Sequence, residues 1–425
     1  MNAREVMPAG PVHARISVPG SKSITNRALI CAALANGQSI IQNASDSDDT
    51  ALMANGLNQL GVLARESGDA LVVQGKGGRL YAPKFPIPVG NAGTTFRFLL
   101  SLAALAEGTT VFEGAVRMAE RPIEDLLAAL RQAGVEVEKH SVAPRWEIRG
   151  GTLKGDTVAV RGDKSSQFLS SLLLVAPALK HALRIVVEGS MSSTSYVSMT
   201  LDVMAHFGVR GIEVRPEGYI VPAGAAYAPA AFAVEADASS ASYPMAAAAI
   251  TGGEVFVEGV KKDSVQGDSR FVEILEAMGC RVMWPGGGVT IRGPETLEGV
   301  DVDMNTMPDV VPTLAAVALF AHGRTSIRNV AHLRYKESDR LQALVTELGK
   351  LGAAVTLRPD GLDILPSPLH RAQLATYGDH RLVMSFALAG LRVPGVRVEE
   401  PDSVKKSYPR FWAEFEKFYR QTPIS

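Results

Sequence analysis

The sequence predicts an α/β protein of two lobes, built from six βαβαββ repeats with buried helices. Three observations carry this. A polar turn leading into an Ala/Leu-rich segment recurs near residues 21, 91, 163, 237, 305 and 377. Each recurrence is followed by a short alternating run rich in β-branched residues, then by an amphipathic segment, usually closed by glycine. The Ala/Leu-rich segments are hydrophobic nearly all round, which marks buried rather than surface helices.

The buried helices are expected in "SKSITNRALICAALANG", "NAGTTFRFLLSLAALAEG", "DKSSQFLSSLLLVAPAL", "DASSASYPMAAAAITGG", "NTMPDVVPTLAAVALFAHG" and "YGDHRLVMSFALAG". The strands that follow are expected in "QSIIQNA", "TTVFEGA", "LRIVVEG", "EVFVEGV", "TSIRNVA" and "VRVEEPD". The amphipathic helices run from "DDTALMANGLNQLG" to "YPRFWAEFEKF". A strand pair completes a repeat, as in "GVEVEKHSVAPRWEIRG" and "GAAVTLRPDGLDILP". The sixth repeat lacks that pair, so the N-terminal "GPVHARISVPG" is expected to supply a strand there, making that lobe discontinuous. "GKGGR" at 75–79 reads as a loop.

Composition narrows the function. A formal charge of −1 speaks against a protein that coats nucleic acid, while leaving room for a local cationic pocket. The first residues have no apolar core of a secretory signal, and no apolar run is long enough to span a bilayer. The expectation is a reducing cytoplasm, or a plastid-like compartment after processing. Cys31 and Cys280 belong to no CxxC pattern, so neither a disulfide nor a zinc framework is expected, and both read as core residues.

The polar turns carry the chemistry. A helix N-terminus has unpaired N–H groups and a partial positive charge, and favours anions. Lys22, Arg27, Arg97, Arg121, Lys336, Arg340, Arg381, Lys405 and Lys406 stand at corresponding places in several repeats. Most cations of a chain only solubilise it; these recur by position. Ser23, Ser165, Ser166, Gln167, Ser193 and Tyr196 accompany them. The mixture suits a hydroxylated substrate with more than one anionic group. Asp309, Glu337, Asp339 and His380 add titratable groups for acid–base work. The blander reading is that Asp309 or Ser338 caps a helix. There is no HExxH motif and no GxxxxGKS/T phosphate loop.

At these residues the chain closely resembles the 5-enolpyruvylshikimate-3-phosphate synthase family, the 3-phosphoshikimate 1-carboxyvinyltransferases. The motifs are "PGSKSITNRAL", "GNAGTTFRFL", "RPIEDL", "DKSSQFLSSLL", "DASSASY", "QGDSRF", "KESDRL", "DHRLVMSFAL" and "KKSYPRF", spread over nearly the whole chain. The resemblance implies a two-lobed inside-out α/β barrel, three repeats per lobe, closing on substrates at the interface. The lobes it implies are 21–235, and 1–20 with 236–425. It implies transfer of the enolpyruvyl group of phosphoenolpyruvate to the 5-hydroxyl of shikimate 3-phosphate, with release of phosphate, by addition and elimination through a tetrahedral intermediate. No metal and no organic cofactor is implied. The partners are those two small molecules, with no nucleic acid and no membrane, and a monomer is expected.

Carried over by motif, shikimate 3-phosphate meets Lys22, Ser23, Arg27, Ser165, Ser166, Gln167, Ser193, Tyr196, Asp309 and Lys336. Phosphoenolpyruvate meets Lys22, Gly93, Arg121, Gln167, Arg340, Arg381 and Lys406. Asp309 is implied as base toward the hydroxyl, with Lys22 and Glu337 handling protons. Thr95, Phe96 and Phe98 stand where many members have Ala, Met and Pro, beside the implied phosphoenolpyruvate pocket, which leaves the response to glyphosate open. His332 stands where some members have an asparagine that touches shikimate 3-phosphate; it is either a donor or part of the rim. The sister family, UDP-N-acetylglucosamine enolpyruvyl transferase, carries a reactive cysteine in the loop that here reads "EGAVRMAERPIEDL". A non-catalytic anion-binding homologue and a repeat scaffold are the further alternatives.

Overall fold

Each of the six apolar segments is a helix with almost no residue at the surface. They are Lys22–Leu34, Gly93–Ala103, Ser166–Val175, Ala238–Thr251, Val311–Ala318 and His380–Gly390. The computed structural model describes residues 2–68, 70–151 and 153–420. Contacts divide the chain into two compact lobes, Gly20–Val234 and Met1–Pro19 with Glu235–Ser425. In each lobe three of the apolar helices pack on one another as a central layer, with sheets outside them. Burying a leucine or phenylalanine stabilises by about 1.5–3 kcal/mol, so these helices form the main core of each lobe.

Among the described residues, the five four-stranded sheets share one topology, and the sheet of the sixth repeat has three strands. In the second repeat, Ile87–Gly90 runs parallel to Gly108–Gly114, which pairs antiparallel with Arg145–Gly150, which pairs antiparallel with Glu136–Lys139. The third repeat repeats this with Thr157–Arg161, Leu183–Glu188, Gly218–Val221 and Glu213–Arg215. The fifth repeats it with Asp301–Asp303, Thr325–Arg328, Gly361–Leu365 and Ala354–Arg358. The strand pair closes against the helix layer through glycine: a Cβ on Gly75 would strike the carbonyl oxygens of Ala32 and Ala35, and one on Gly150 those of Ala103 and Ala106. Only a residue without a Cβ lets a strand run this close to a helix C-terminus.

Two strands are exchanged between repeats. His13–Ile16 lies parallel to Glu254–Val257 in the sheet of the fourth repeat. Ala231–Ala233, which precedes the fourth buried helix, lies parallel to Ile40–Gln42 in the sheet of the first. This corrects the expectation for "GPVHARISVPG". The sixth repeat is indeed completed from the N-terminus, but by Ala3–Val6 pairing antiparallel with Val396–Glu399. Alternation shows that a segment is a strand; it does not show which open sheet edge will take it.

Smaller departures have local causes. Gly75 and Lys76 end the strand Ala70–Lys76, so the loop is shorter than expected. The fifth buried helix starts at Val311, preceded by a tight turn at Pro308–Val310, and Pro308 and Pro312 both lack the N–H that would extend it. The last amphipathic segment is a short helix, Phe411–Phe415, followed by a tighter turn at Glu416–Tyr419. Its aromatic side chains hold it, with Phe411, Trp412, Phe415 and Phe418 in successive ring contacts.

Candidate active site

In the lobe Gly20–Val234 the polar turns meet at one end of the helix layer. Gln167 opens one buried helix and donates to Thr94 Oγ1 of another at 3.0 Å, while accepting from Arg97 Nη1 at 2.7 Å. Further along, Ser101 and Ser171 pair at 3.0 Å, so these two helices run in parallel with their N-termini together. Lys22, the first residue of the remaining buried helix, sends its Nζ to Asp49 Oδ2 at 2.8 Å. The Asp49 carbonyl in turn accepts from Thr95 Oγ1 at 2.8 Å, which joins this corner to the second helix.

Arg121 is held beside the same N-termini, donating to the Asn91 carbonyl at 2.8 Å. Gly93 leaves room for it. A Cβ there would lie 2.6 Å from both Arg121 Nη2 and Arg97 Nη1. Ser165 caps its helix by accepting from the Gln167 backbone N–H at 3.3 Å, with Ser166 buried next to it. Ser193 is buried in a left-handed conformation, φ 56°, at the start of the helix Thr194–His206, where Tyr196 is half-buried.

Arg27 is placed differently from the other cations. It is fully buried, and donates to Thr200 Oγ1 at 2.7 Å, Ser23 O at 2.8 Å and Tyr196 O at 3.1 Å. Burial pulls its guanidinium down to about 10, against the pull of Tyr196 and Cys31. It ties the first buried helix to the segment carrying Ser193 and Tyr196. Burial likewise pushes the Cys31 thiol up to about 12, as a core residue requires. Thr95, Phe96 and Phe98 turn into the lobe: Phe96 packs on Trp146 with ring centres 4.5 Å apart, and Phe98 lies under the Arg27 guanidinium at 5.3 Å.

The second lobe carries a buried ion cluster. Asp309 accepts from Arg340 Nη1 at 3.0 Å through Oδ1 and from Arg381 Nη2 at 2.7 Å through Oδ2. Arg340 also reaches Glu337 Oε2 at 3.0 Å and Asp379 Oδ2 at 2.8 Å. Asp379 caps the helix His380–Gly390 by accepting from the Arg381 backbone N–H at 3.0 Å. Ser242 and Thr313 pair at 2.9 Å, bringing the other two buried helices to the same end.

Charge balance sets the protonation here. Burial disfavours the Asp309 carboxylate, but Arg381, Arg340 and Lys336 outweigh it and hold the group well below the usual carboxylate range. Burial also works against the Arg340 cation, which Asp379, Glu337 and Asp309 more than restore. His332 is buried and, with Lys336 beside it, its imidazole is pushed down to about 3, so it is neutral at physiological pH. Neither capping alternative holds: Asp339 caps the helix Arg340–Lys350, Asp309 faces two arginines, and Ser338 donates to Asp379. Lys406 is half-buried at the end of the turn Pro401–Lys406, whereas Lys405 is exposed and pairs with Asp402 at 3.2 Å.

Several residues of these clusters carry no distinctive sequence signal. Asp49 follows another aspartate and reads as an ordinary helix start, and Asp379 is overshadowed by His380. Tyr243, whose hydroxyl lies 3.5 Å from Arg381 Nη1, and Asp268, on a turn packed against that of Asp309, lie in "DASSASY" and "QGDSRF", where the residues themselves look like capping and turn chemistry.

A comparison with protein-family profiles matches residues 6–415 to EPSP synthase (3-phosphoshikimate 1-carboxyvinyltransferase). The chain belongs to the EPSP synthase family. Its similarity to curated members runs end to end. It is 45% identical to the 3-phosphoshikimate 1-carboxyvinyltransferase of Syntrophobacter fumaroxidans, covering 97% of this chain and 99% of that one. It is 42% identical to that of Nostoc punctiforme, covering 95% and 96%. Among solved structures, EPSP synthase from Acinetobacter baumannii superposes with a TM-score of 0.79 at 25% identity, covering 98% of both chains. The enolpyruvyl transferase NikO from Streptomyces tendae reaches 0.79 at 18% identity, covering 98% and 97%, and shares the fold. The family's two-lobed inside-out α/β architecture is therefore the architecture of this chain.

Proposed function

We propose that the chain transfers the enolpyruvyl group of phosphoenolpyruvate to the 5-hydroxyl of shikimate 3-phosphate and releases phosphate. Membership of the EPSP synthase family across residues 6–415 carries the reading. Lys22 at a helix start in one lobe, and the Asp309–Arg340–Arg381 cluster in the other, support it.

Shikimate 3-phosphate is assigned to Lys22, Ser23, Arg27, Ser165, Ser166, Gln167, Ser193, Tyr196, Asp309 and Lys336. For Arg27 the assignment includes holding Tyr196 and Ser23 in place, which its hydrogen bonds support. Phosphoenolpyruvate is assigned to Lys22, Gly93, Arg121, Gln167, Arg340, Arg381 and Lys406. Arginine forks and helix N-termini suit its phosphate and carboxylate.

The reaction then runs as follows. The methylene carbon of the enol gains a proton while the 5-hydroxyl oxygen bonds to the neighbouring carbon and gives up its own proton. The tetrahedral intermediate loses a methyl proton as the carbon–oxygen bond to phosphate breaks. Asp309 is the base toward the hydroxyl, and Lys22 and Glu337 handle the proton at carbon. Asp309 is a weak base while Arg340 and Arg381 hold it. Those arginines are the ones assigned to phosphoenolpyruvate, so binding that anion draws counter-charge from Asp309 and strengthens it as a base. The remaining cations stabilise the departing phosphate. The same reading has the enzyme working as a cytoplasmic monomer without metal or organic cofactor.

The test is phosphate release with phosphoenolpyruvate plus shikimate 3-phosphate in metal-free buffer, with UDP-N-acetylglucosamine as the competing acceptor. Release with shikimate 3-phosphate alone is expected. Release only with the sugar nucleotide would move the chain to the sister family. No release from folded protein would leave an anion-binding homologue.

A further inference from the structure

Asp268 is a buried carboxyl group that the reaction above does not use. It sits in the turn Gly267–Arg270, which packs on the turn carrying Asp309 and on the helix Ala238–Thr251. Ser239 Oγ donates to one of its oxygens, Oδ2. The other, Oδ1, is enclosed and has no hydrogen-bond partner among the described residues. A bare carboxylate oxygen in such a place is strongly disfavoured, whereas a protonated carboxyl is tolerated.

The charges facing Asp268 come from three directions. Asp309 lies on the adjoining turn, Arg381 opens the helix His380–Gly390, and Asp237 caps the helix Ala238–Thr251. Two of the three are carboxylates. On its own turn Arg270 pairs outward with Glu273 at 2.9 Å. Burial, with Asp309 and Asp237 nearby, pushes the Asp268 carboxyl up to about 7, against the pull of Arg381 and Ser239. Asp309 is driven the opposite way, so below about pH 7 the two neighbouring carboxyls hold different protonation states.

We propose that Asp268 is a positioning residue for the Asp309–Arg381 pair: it acts as a neutral carboxylic acid, and its lack of charge leaves the Arg381 guanidinium to Asp309. Ionising Asp268 places a second negative charge beside Asp309. That charge competes for Arg381 and changes both the orientation and the basicity of Asp309. The consequence for catalysis rests on the role proposed for Asp309; the protonation of Asp268 does not.

The experiment compares full-length wild type with Asp268→Asn, which keeps the shape and an acceptor for Ser239 but cannot ionise. Without substrates, infrared difference spectra at pH 6 are expected to show a protonated-carboxyl C=O band in wild type that is missing from the variant and fades as pH rises through 7. Absence of that band in folded protein overturns the proposal. In phosphate release, the ratio of the rate at pH 8.5 to that at pH 6.5 is expected to be at least about threefold higher in Asp268→Asn, because the competing charge cannot form. Equal ratios overturn the positioning role. If neither protein releases phosphate, the functional reading fails while the infrared result still decides the state of Asp268. Should Asp268→Asn not fold, the pH titration of the band in wild type carries the test.

Discussion

Arg340 Nε lies 2.8 Å from Asp379 Oδ2, with the two side chains 1% and 0% exposed. A second bond joins Arg340 Nη2 to Asp379 Oδ1 at 3.3 Å, and Ser338 Oγ donates to Asp379 at 3.1 Å. One carboxylate thus caps a buried helix and anchors an arginine assigned to substrate. Removing it leaves Arg340 with Asp309 and Glu337 but without its innermost partner. Breaking a buried pair in this way costs about 3–5 kcal/mol. Asp379→Ala is therefore expected to lose that much in a denaturant titration, along with most of its turnover. A loss under ~1 kcal/mol would show that Asp379 is not what holds Arg340.

Lys22 pairs with Asp49 in the other lobe, the lysine 11% and the aspartate 4% exposed. Lys22→Met removes the proposed proton carrier and leaves the Asp49 carboxylate buried without this partner. Turnover is expected to fall by about 10²–10⁴. Stability falls too, and adding Asp49→Asn should restore it without restoring the rate. Full activity in Lys22→Met would remove Lys22 from the mechanism.

Gly93→Ala sets a methyl 2.6 Å from the ends of Arg121 and Arg97. Both are the far ends of long side chains rather than backbone, so the fold should tolerate the change while Arg121 shifts from its bond to the Asn91 carbonyl. The expected result is an unaltered melting temperature and a raised KM for phosphoenolpyruvate, with glyphosate weakened more than phosphoenolpyruvate. Inhibition and KM measured together check this; equal weakening would count against the crowding account.

His332 makes stability depend on acid. Its folded-state value is about 3, below the ordinary value near 6.5, so between those limits the unfolded chain binds a proton that the native chain does not. Its contribution is fully present above pH 6.5 and is lost as pH falls toward 3. The lowered Asp309 carboxyl acts in the same direction but only below the ordinary carboxylate range. Over the same interval the raised Asp268 carboxyl acts the other way, adding stability as pH falls, so the histidine's share is read from the difference between two proteins: His332→Gln is expected to lose less melting temperature than wild type from pH 6.5 to 4.5. Parallel curves would show that His332 does not drive the effect.

The repeats were legible because each buried helix is apolar on every side and starts at a polar turn. Periodicity near 70 residues then followed directly from the sequence. Most of the candidate residues were legible too, since they fall at those turns. Asp49, Asp379 and Asp268 were not. Each looks like a capping or turn residue, and its importance comes from an arginine, lysine or serine 27 to 39 residues away in the chain.

Local pattern by itself determined the element types, the buried helices, the placing of cations at helix N-termini and the family resemblance. These depend on side-chain period and turn chemistry, which act between near neighbours. Tertiary structure alone decided that Ala3–Val6 completes the sixth repeat while His13–Ile16 joins the fourth, because open sheet edges present the same hydrogen-bonding groups to any strand. It alone decided that Arg27 is fully buried among three helices while Arg340 sits between three carboxylates. The physical reason is that a charge takes its protonation and its role from burial and from partners brought in by folding, and neither is written in the residues beside it.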